Sequence, residues 1–413
     1  TRNRPPGKLL MYRVSPFVRH FAVALLAGAG AATLWVNTDP AGYYDAIEYR
    51  LLDLNLPGWL APQGLSLTPL SLVSDGLMAL FMAFIGKELW EALVLERGAM
   101  SGGQARAPLS AVIGGALGAV LLWVLTGALI ETAIEAGFAT GWPVPIGSDV
   151  VLGYLVGRRV FGPGHPALHL LLLITIGFDI LGLVVMGLGD PEVTLRLVWL
   201  ALPALAAGGV WALVGRRPGP HATERDRRRG MALWPYVLAG IVSFVGVAAS
   251  GLPPALGLLP VLPAIPHADR SFGLFAEAEE FLHDPLNRLA HLLVRPLALV
   301  LFLFGLTRGG IDLAAFAPTT LTTLAALWIG KPLGVLAGLT VALAFLRARL
   351  PQGVAGRDLL LIAMVSGMGF TVPVVALDSA LPGGGMTEAA RLGLALSLLA
   401  GPLALLAARL LKR

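Results

Sequence analysis

The stretch SGMGFTVP, residues 366–373, interrupts the apolar run 358–378 near the end of the chain. Glycine loosens a helix and proline removes a backbone donor, so a helix over this run is predicted to break here. A second interruption, PVPIGSD at residues 143–149, lies in the apolar run 143–157. Interrupted helices at matching places in two halves of a membrane chain indicate the substrate site of a transporter built from inverted repeats.

The composition supports a membrane protein. Of the 413 residues, 56% are hydrophobic and only 13% are charged, and this balance lies outside the range of soluble domains. The chain contains no cysteine, which excludes disulfides and thiolate metal sites. The pI of about 9.8 does not indicate a nucleic-acid partner, because the arginines form short runs between apolar segments that face membrane lipids.

A membrane-spanning helix needs roughly 20 apolar residues. Candidate spans cover residues 17–36, 75–93, 107–130, 143–157, 166–188, 194–214, 232–249, 252–265, 288–307, 316–346, 358–378 and 388–411. We therefore predict an all-α polytopic membrane protein with about twelve transmembrane helices, in which residues 1–413 form a single transporter domain. The inverted repeats would cover about residues 107–189 and 316–411, each with one broken crossing helix.

The charged connections between these segments alternate in sign. Stretches 2–13, 158–159, 216–229 and 409–413 are basic, whereas 39–53 and 190–192 are mainly acidic. Because basic loops remain in the cytoplasm, this pattern predicts an even number of spans with both the N- and the C-terminus cytoplasmic.

Lys331 lies inside the apolar run 316–346 and is one of four lysines in a chain that carries 30 lysines and arginines. A lysine, unlike an arginine, can lose its proton when it leaves water. An ionisable residue at membrane depth indicates a functional site. The alternative is that Lys331 only offsets a helix dipole, although an arginine would serve that purpose equally well.

Two aspartates are candidates for the same site. Asp149 ends the first interruption, where it would also neutralise a helix N-terminus. Asp179 lies in the middle of the apolar run 166–188, where a lone carboxylate must be protonated or paired, and Lys331 is its natural partner. Such a pair carries a proton if it moves between charged and neutral forms. A purely structural ion pair is the alternative.

These features resemble the NhaA family of bacterial Na+/H+ antiporters. Matching stretches lie at 74–79, 86–93, 148–149, 179–182, 329–334 and 367–371, in the family's order and over nearly the whole chain. The resemblance implies twelve spans with two crossing broken helices in the bacterial inner membrane. It also implies exchange of Na+, or Li+, against H+ without a cofactor.

The resemblance implies a cation and proton site formed by Asp179, Asp149, Ser148, Lys331 and Thr371. Na+ would bind at Asp179, Asp149 and Ser148. Asp179 would alternate between proton and cation, with Lys331 as its ion-pair partner.

Further positions follow from the same resemblance. Glu88, Lys87 and Asp75 would belong to a regulatory funnel, and the hairpin 53–68 would join two copies into a homodimer. Lys87 and Glu88 also fit an ordinary charged helix end. Arg308 stands where the family has a small polar residue, and it is either an anion or gating contact or a positive charge at the external interface.

One departure bears on the substrate. The family carries two adjacent aspartates before Leu-Gly, whereas this chain reads DILG at 179–182, so that Ile180 replaces the family's principal cation ligand. Three functions stay open: proton-coupled Na+ or Li+ antiport, transport of another solute such as an organic anion, and a non-transporting sensor or inactive relative. An enzyme is not expected, because the chain has no phosphate loop, no cysteine nucleophile and no histidine cluster with metal spacing.

Overall fold

The structure, a computed structural model, describes residues 17–54, 57–58, 65–94, 105–129, 138–190, 193–215, 231–266 and 284–411. The basic stretches 2–13 and 216–229 lie outside these residues. The helices are α1 Phe17–Thr38, α2 Pro40–Glu48, α3 Pro69–Ser71, α4 Met78–Val94, α5 Arg106–Leu129, α6 Val150–Phe161, α7 Pro166–Gly189, α8 Ala201–Val210, α9 Trp234–Ser250, α10 Pro285–Arg308, α11 Pro318–Ala325, α12 Lys331–Ala344, α13 Gly356–Ser366, α14 Thr371–Ala380, α15 Gly384–Ser397 and α16 Ala400–Leu411. Turns of 3₁₀ helix lie at Ala139–Gly141, Leu197–Leu200, Pro254–Leu256 and Leu259–Ala264, and turns of π-helix at Leu72–Leu77, Trp211–Gly215 and Ala326–Gly330.

The described helices confirm an all-α polytopic membrane protein. Eight continuous stretches are long and apolar enough to cross a membrane, and the bent pair α13 and α14 makes a ninth. The predicted span 232–249 corresponds to α9, and 143–157 corresponds to turns followed by α6. The span 252–265 forms only 3₁₀ turns, because its prolines prevent a continuous α-helix. The total of twelve spans stays a prediction.

The outer surface of these helices is apolar. On α5, Leu109, Ile113, Leu117 and Leu121 form a stripe at intervals of four residues, and each is more than half exposed. A soluble protein rarely exposes a continuous apolar surface of this kind. The stripe therefore faces lipid.

A short β-hairpin departs from the otherwise helical architecture. Strands β1, Leu52–Leu54, and β2, Leu65–Leu67, pair antiparallel, with Asp53 opposite Ser66. The pairing overlaps the stretch 53–68, which was expected to form a hairpin, and begins one residue before it, at Leu52. Its role in dimerisation stays a prediction.

Helix α5 packs with its backbone directly against the backbone of α12 and of the π-helical turn before it. A Cβ atom on Gly114 would meet the carbonyl oxygen of Gly334, and a Cβ atom on Gly118 would meet that of Gly330. Small residues of this kind let membrane helices approach closely. The contact fixes the position of Lys331, which is the first residue of α12.

Candidate functional site

The first interruption places Asp149 in the interior of the protein. Residues 142–146 form turns and residues 147–149 have no regular structure before α6 begins. Asp149 is the N-cap of α6, and its Oδ1 atom accepts a hydrogen bond from the N–H of Leu152 at 2.7 Å. The two prolines of the turn prevent a helix, and aspartate is a preferred N-cap residue.

The second interruption bends the chain by 45° between Ser366, the end of α13, and Thr371, the start of α14. The hydroxyl oxygen of Ser397 accepts a hydrogen bond from the N–H of Gly369 at 3.0 Å. The indole Nε1 of Trp328 donates to the carbonyl oxygen of Ser397 at 3.1 Å. Ser397 therefore supports the unpaired backbone of the break, which membrane depth requires.

The two interruptions contact each other. The Thr371 hydroxyl donates a hydrogen bond to the carbonyl oxygen of Ser148 at 3.3 Å. A Cβ atom on Gly147 would lie 2.7 Å from Cγ1 of Val372 and 2.8 Å from Cδ of Pro373. Only glycine at position 147 allows the two broken segments to approach this closely.

Asp179 projects from α7 onto the first interruption and is fully buried. Its Oδ1 atom accepts a hydrogen bond from the N–H of Ser148 at 2.8 Å. The Ser148 hydroxyl oxygen lies 3.2 Å from the same Oδ1 atom and 3.1 Å from the carbonyl oxygen of Thr175. The structure thus brings Asp179, Ser148, Asp149 and Thr371 together, as the sequence predicts.

Each of the two aspartates keeps one carboxylate oxygen without a hydrogen-bond partner. These atoms are Oδ2 of Asp149 and Oδ2 of Asp179, and both are buried. The N–H of Thr371, at the start of α14, lies near the Asp149 carboxylate but makes no hydrogen bond with Oδ2. Buried polar atoms are nearly always paired, so two such oxygens in one site indicate a ligand.

Lys331 follows the π-helical turn Ala326–Gly330, and turns of this type are frequent at functional sites. Its ammonium donates a hydrogen bond to the carbonyl oxygen of Gly147 at 2.5 Å and lies 4.3 Å from the ring centroid of Phe178. In the described residues, no oxygen of Asp179 lies within 4.0 Å of Nζ. The two groups are nevertheless near enough for their charges to interact. Asp179 is thus the electrostatic neighbour of Lys331, while the hydrogen bond of the ammonium goes to the Gly147 carbonyl, which the interruption leaves without a helical partner.

The position of Ile180 explains how the site differs from a pair of adjacent aspartates. Ile180 is partly buried and packs against the apolar core. The second carboxylate near Asp179 is that of Asp149, which is close enough for the two charges to interact. Two carboxylates thus face the site even though the adjacent pair is absent.

A second charged cluster lies at the end of α4. Lys87 and Glu91 form an ion pair at 3.2 Å, and both are almost fully buried. Oε1 of Glu88 lies 3.4 Å from Nδ1 of His169 on α7. This arrangement is more than a charged helix end, because all three α4 side chains point into protein. Sequence reasoning missed His169, since no spacing pattern links it to a residue 81 positions earlier.

Arg308 lies at the opposite end of the molecule, at the C-terminus of α10. Its Nε atom donates a hydrogen bond to Oγ of Ser74 at 2.8 Å, and its guanidinium pairs with the carboxylate of Asp378 on α14. The carboxylate of Asp75 is also near enough to interact electrostatically with Arg308. Asp75 therefore belongs to this end and not to the cluster at Glu88, which corrects its predicted grouping. The helix from position 69 to 94 separates the two places.

Four side chains extend the cluster at Arg308. Arg391 on α15 lies 3.5 Å from Asp378 and 2.6 Å from Glu388. The hydroxyl of Tyr44 on α2 donates a hydrogen bond to Glu388 at 2.8 Å. Burial and the negative charge of Glu388 raise the pKa of Tyr44 to about 12, so the phenol remains a donor. Sequence reasoning found none of these four.

Comparisons with known proteins match almost the whole chain. The model of the family described as Na+/H+ antiporter 1 matches residues 18–408. A relative from Jannaschia sp. (strain CCS1), named Na(+)/H(+) antiporter NhaA, is 39% identical over 395 residues, which cover 93% of this chain and 94% of that protein. A relative from Pelobacter propionicus, named Na(+)/H(+) antiporter NhaA 2, is 32% identical over 398 residues, which cover 96% and 97% of the two chains. The solved sodium proton antiporter MjNhaP1 from Methanocaldococcus jannaschii aligns with a TM-score of 0.48 and 13% identity, over 94% of this chain and 95% of that one.

Proposed function

The chain belongs to the Na+/H+ antiporter 1 family, and we propose that it exchanges Na+ for H+ at the carboxylates of Asp179 and Asp149. It is a multi-pass protein of the bacterial inner membrane and a secondary active transporter. The observation that carries the proposed site is the pair of unpartnered carboxylate oxygens, one on each aspartate, at the contact of the two broken segments.

The chemistry of these atoms suits a small hard cation. Such ions prefer carboxylate, hydroxyl and carbonyl oxygens. Oδ2 of Asp179 and Oδ2 of Asp149 would bind Na+, and the hydroxyls of Ser148 and Thr371 would complete the set. Exchange follows from competition: Na+ binds the ionised carboxylates, and a proton on Asp179 removes the charge that holds the cation.

Lys331 acts on the site through the backbone in this proposal. Its ammonium holds the carbonyl oxygen of Gly147, the residue before Ser148, and so fixes the segment that carries Ser148 and Asp149. Its positive charge also offsets the buried carboxylates when no cation is bound. Lysine rather than arginine suits this position, because the ammonium can release its proton to a neighbour.

The proposal extends to the repeats, the orientation of the termini and the dimer contact. The repeats would be residues 107–189 and 316–411, since each range contains one interruption and the two interruptions touch. Both termini would be cytoplasmic, and Glu88 would then belong to the cytoplasmic funnel. The hairpin β1–β2 would form the homodimer contact, and no enzymatic activity is proposed. The alternative of an organic anion rested on Lys331, on Arg308 and on the replacement of the second aspartate by Ile180. The pairing of Arg308 with Asp378 removes one of these grounds, because it neutralises that arginine.

The test is exchange in proteoliposomes with an imposed pH gradient and a pH-sensitive dye inside. Addition of Na+ is expected to dissipate the gradient, and the same assay with Li+ and K+ gives the ion preference. Asp179→Asn and Asp149→Asn are expected to abolish the response, whereas Asp45→Asn, which alters an exposed residue of α2, is expected to leave it unchanged. A native protein that responds to neither Na+ nor Li+ between pH 6 and 9 would contradict the proposed function.

A further inference from the structure

The charged cluster at the end of the molecule opposite Glu88 connects parts of the chain that are far apart in sequence. Two of its side-chain contacts reach the C-terminal repeat from outside it. The guanidinium of Arg308 on α10 meets Asp378 on α14, and the hydroxyl of Tyr44 on α2 meets Glu388 on α15. Arg391 on α15 contacts both Asp378 and Glu388 and so joins the two contacts.

These contacts cross the boundary at which motion is expected. In transporters with inverted repeats, alternating access is largely a rigid-body movement of one bundle against another around a fixed site. Asp378, Glu388 and Arg391 belong to the repeat 316–411, whereas Arg308 and Tyr44 lie outside both repeats. A movement that opens the site towards this end must therefore separate Arg308 from Asp378.

Helix α14 links this contact directly to the site. It begins at Thr371, whose hydroxyl donates a hydrogen bond to the carbonyl oxygen of Ser148, and Asp378 lies seven residues later. At a rise of about 1.5 Å per residue, Asp378 lies only about 10 Å along the helix from Thr371. Any displacement of α14 that moves Asp378 moves the second interruption as well.

We propose that Arg308 and Asp378 form a gating ion pair, which closes the ion site at this end and breaks once in each transport cycle. Tyr44 and Glu388 form its second contact, and Arg391 holds the two carboxylates in place. This role rests on the proposed antiport function. It assigns a function in transport to Asp378, Glu388, Arg391 and Tyr44.

The exposure of the pair agrees with a contact that must open. The side chain of Arg308 is 10% exposed and that of Asp378 is 39% exposed. Breaking a fully buried ion pair strongly destabilises a protein. A partly exposed pair contributes little, because water can solvate both charged groups when the pair opens. The pair therefore favours the state that is closed at this end without preventing the change to the open state.

A thiol-labelling experiment tests the gate. Because the chain has no native cysteine, only an introduced cysteine can react. Val375→Cys introduces a thiol on α14, about one turn from Asp378 towards the ion site, at a residue that is 9% exposed. The rate of modification by a membrane-impermeant thiol reagent reports opening at this end. Combined with Val375→Cys, Asp378→Asn is expected to raise the rate about three- to fivefold, the factor that corresponds to loss of one partly exposed ion pair.

Two further variants serve as controls. Asp378→Glu keeps the charge and is expected to leave the rate near that of Val375→Cys alone. Asp312→Asn removes a carboxylate from the loop just after Arg308, where the structure shows only a backbone contact to Ala314, and it is expected to have no effect. An unchanged or lower rate in Asp378→Asn would overturn the gate.

A reversible cross-link provides a second measurement. In the double variant Arg308→Cys and Asp378→Cys, a flexible bis-methanethiosulfonate reagent is expected to stop Na+/H+ exchange, and a reductant is expected to restore it. Exchange that continues in the cross-linked protein would overturn the gate. The labelling result does not depend on Na+, so a native protein without exchange activity would refute the proposed function and leave the gate to be decided by labelling.

Discussion

Gly147→Ala tests whether transport depends on the close contact of the two interruptions. The new Cβ atom would lie 2.7 Å from Cγ1 of Val372 and 2.8 Å from Cδ of Pro373. The first distance is 0.7 Å short of the 3.4 Å at which ordinary van der Waals contact begins. Neither neighbour can turn away, because a helical valine has one preferred rotamer and the proline ring is fixed. The two segments must therefore separate by roughly 0.7 Å.

The energetic cost and the functional cost of this separation differ. Overpacking of this size destabilises a protein by about 1–3 kcal/mol, which a membrane protein of this size can tolerate. The geometry of the site is more sensitive, because a displacement near 1 Å can reduce the rate of a positioned reaction about 100-fold. The hydrogen bond from Lys331 to the Gly147 carbonyl would also be strained. We expect Gly147→Ala to insert and fold while its Na+/H+ exchange falls at least about tenfold.

The matched control is Gly153→Ala, one turn into α6. There the new Cβ atom would lie 3.7 Å from Cγ2 of Thr175 and 3.8 Å from Cγ1 of Val365, which is ordinary contact. Alanine is also the better helix former by about 1 kcal/mol. Both variants are measured as purified protein in the proteoliposome assay, at equal reconstituted amounts. Native exchange rates in Gly147→Ala would refute the argument that the two interruptions need this contact.

Three further predictions concern other parts of the fold. Ile180→Asp supplies a second carboxylate next to Asp179 and is expected to lower the Na+ concentration for half-maximal exchange severalfold; an unchanged value would mean that position 180 does not face the ion. Ser397→Ala leaves the backbone of Gly369 without its partner and is expected to cost about 1–3 kcal/mol in thermal unfolding, with recovery in Ser397→Thr, unless another group replaces the hydroxyl. Gly334→Ala is expected to lower the Tm because its Cβ atom meets the α5 backbone, whereas Gly30→Ala, with no heavy atom within 4 Å, is the control that should not.

The sequence predicted those parts of the site whose signals are local. Glycine and proline within apolar runs marked both interruptions, and a lone aspartate in the run 166–188 marked Asp179. For Lys331 the sequence indicated Asp179, and the two groups are near enough for their charges to interact, but the hydrogen-bond acceptor was missed because it is a backbone carbonyl. Every residue has a backbone carbonyl, and the Gly147 carbonyl can accept the ammonium only because the chain is not helical at this position. No residue type can indicate such a partner.

The charged clusters at the two ends were largely beyond sequence reasoning for a different reason. His169 meets Glu88 and Asp378 meets Arg308 only through packing of helices that are distant in the chain. A histidine near a helix start and an aspartate near a helix end are common, and neither has a spacing that identifies a site. Arg308 was singled out because it departed from the family pattern, but its partner carried no such mark.

The glycine contact between α5 and α12 has a mechanical consequence. Carbonyl oxygens of one helix lie directly against the Cα atoms of the other at Gly114, Gly118, Gly330 and Gly334. At these glycines backbone meets backbone, so no rotamer change at the four positions can absorb a shift of one helix against the other. The two helices must therefore tilt together as one stiff unit, which carries Lys331 at the start of α12. A force on either lipid-facing end, such as a change in bilayer thickness, would thus reach the ion site without being damped.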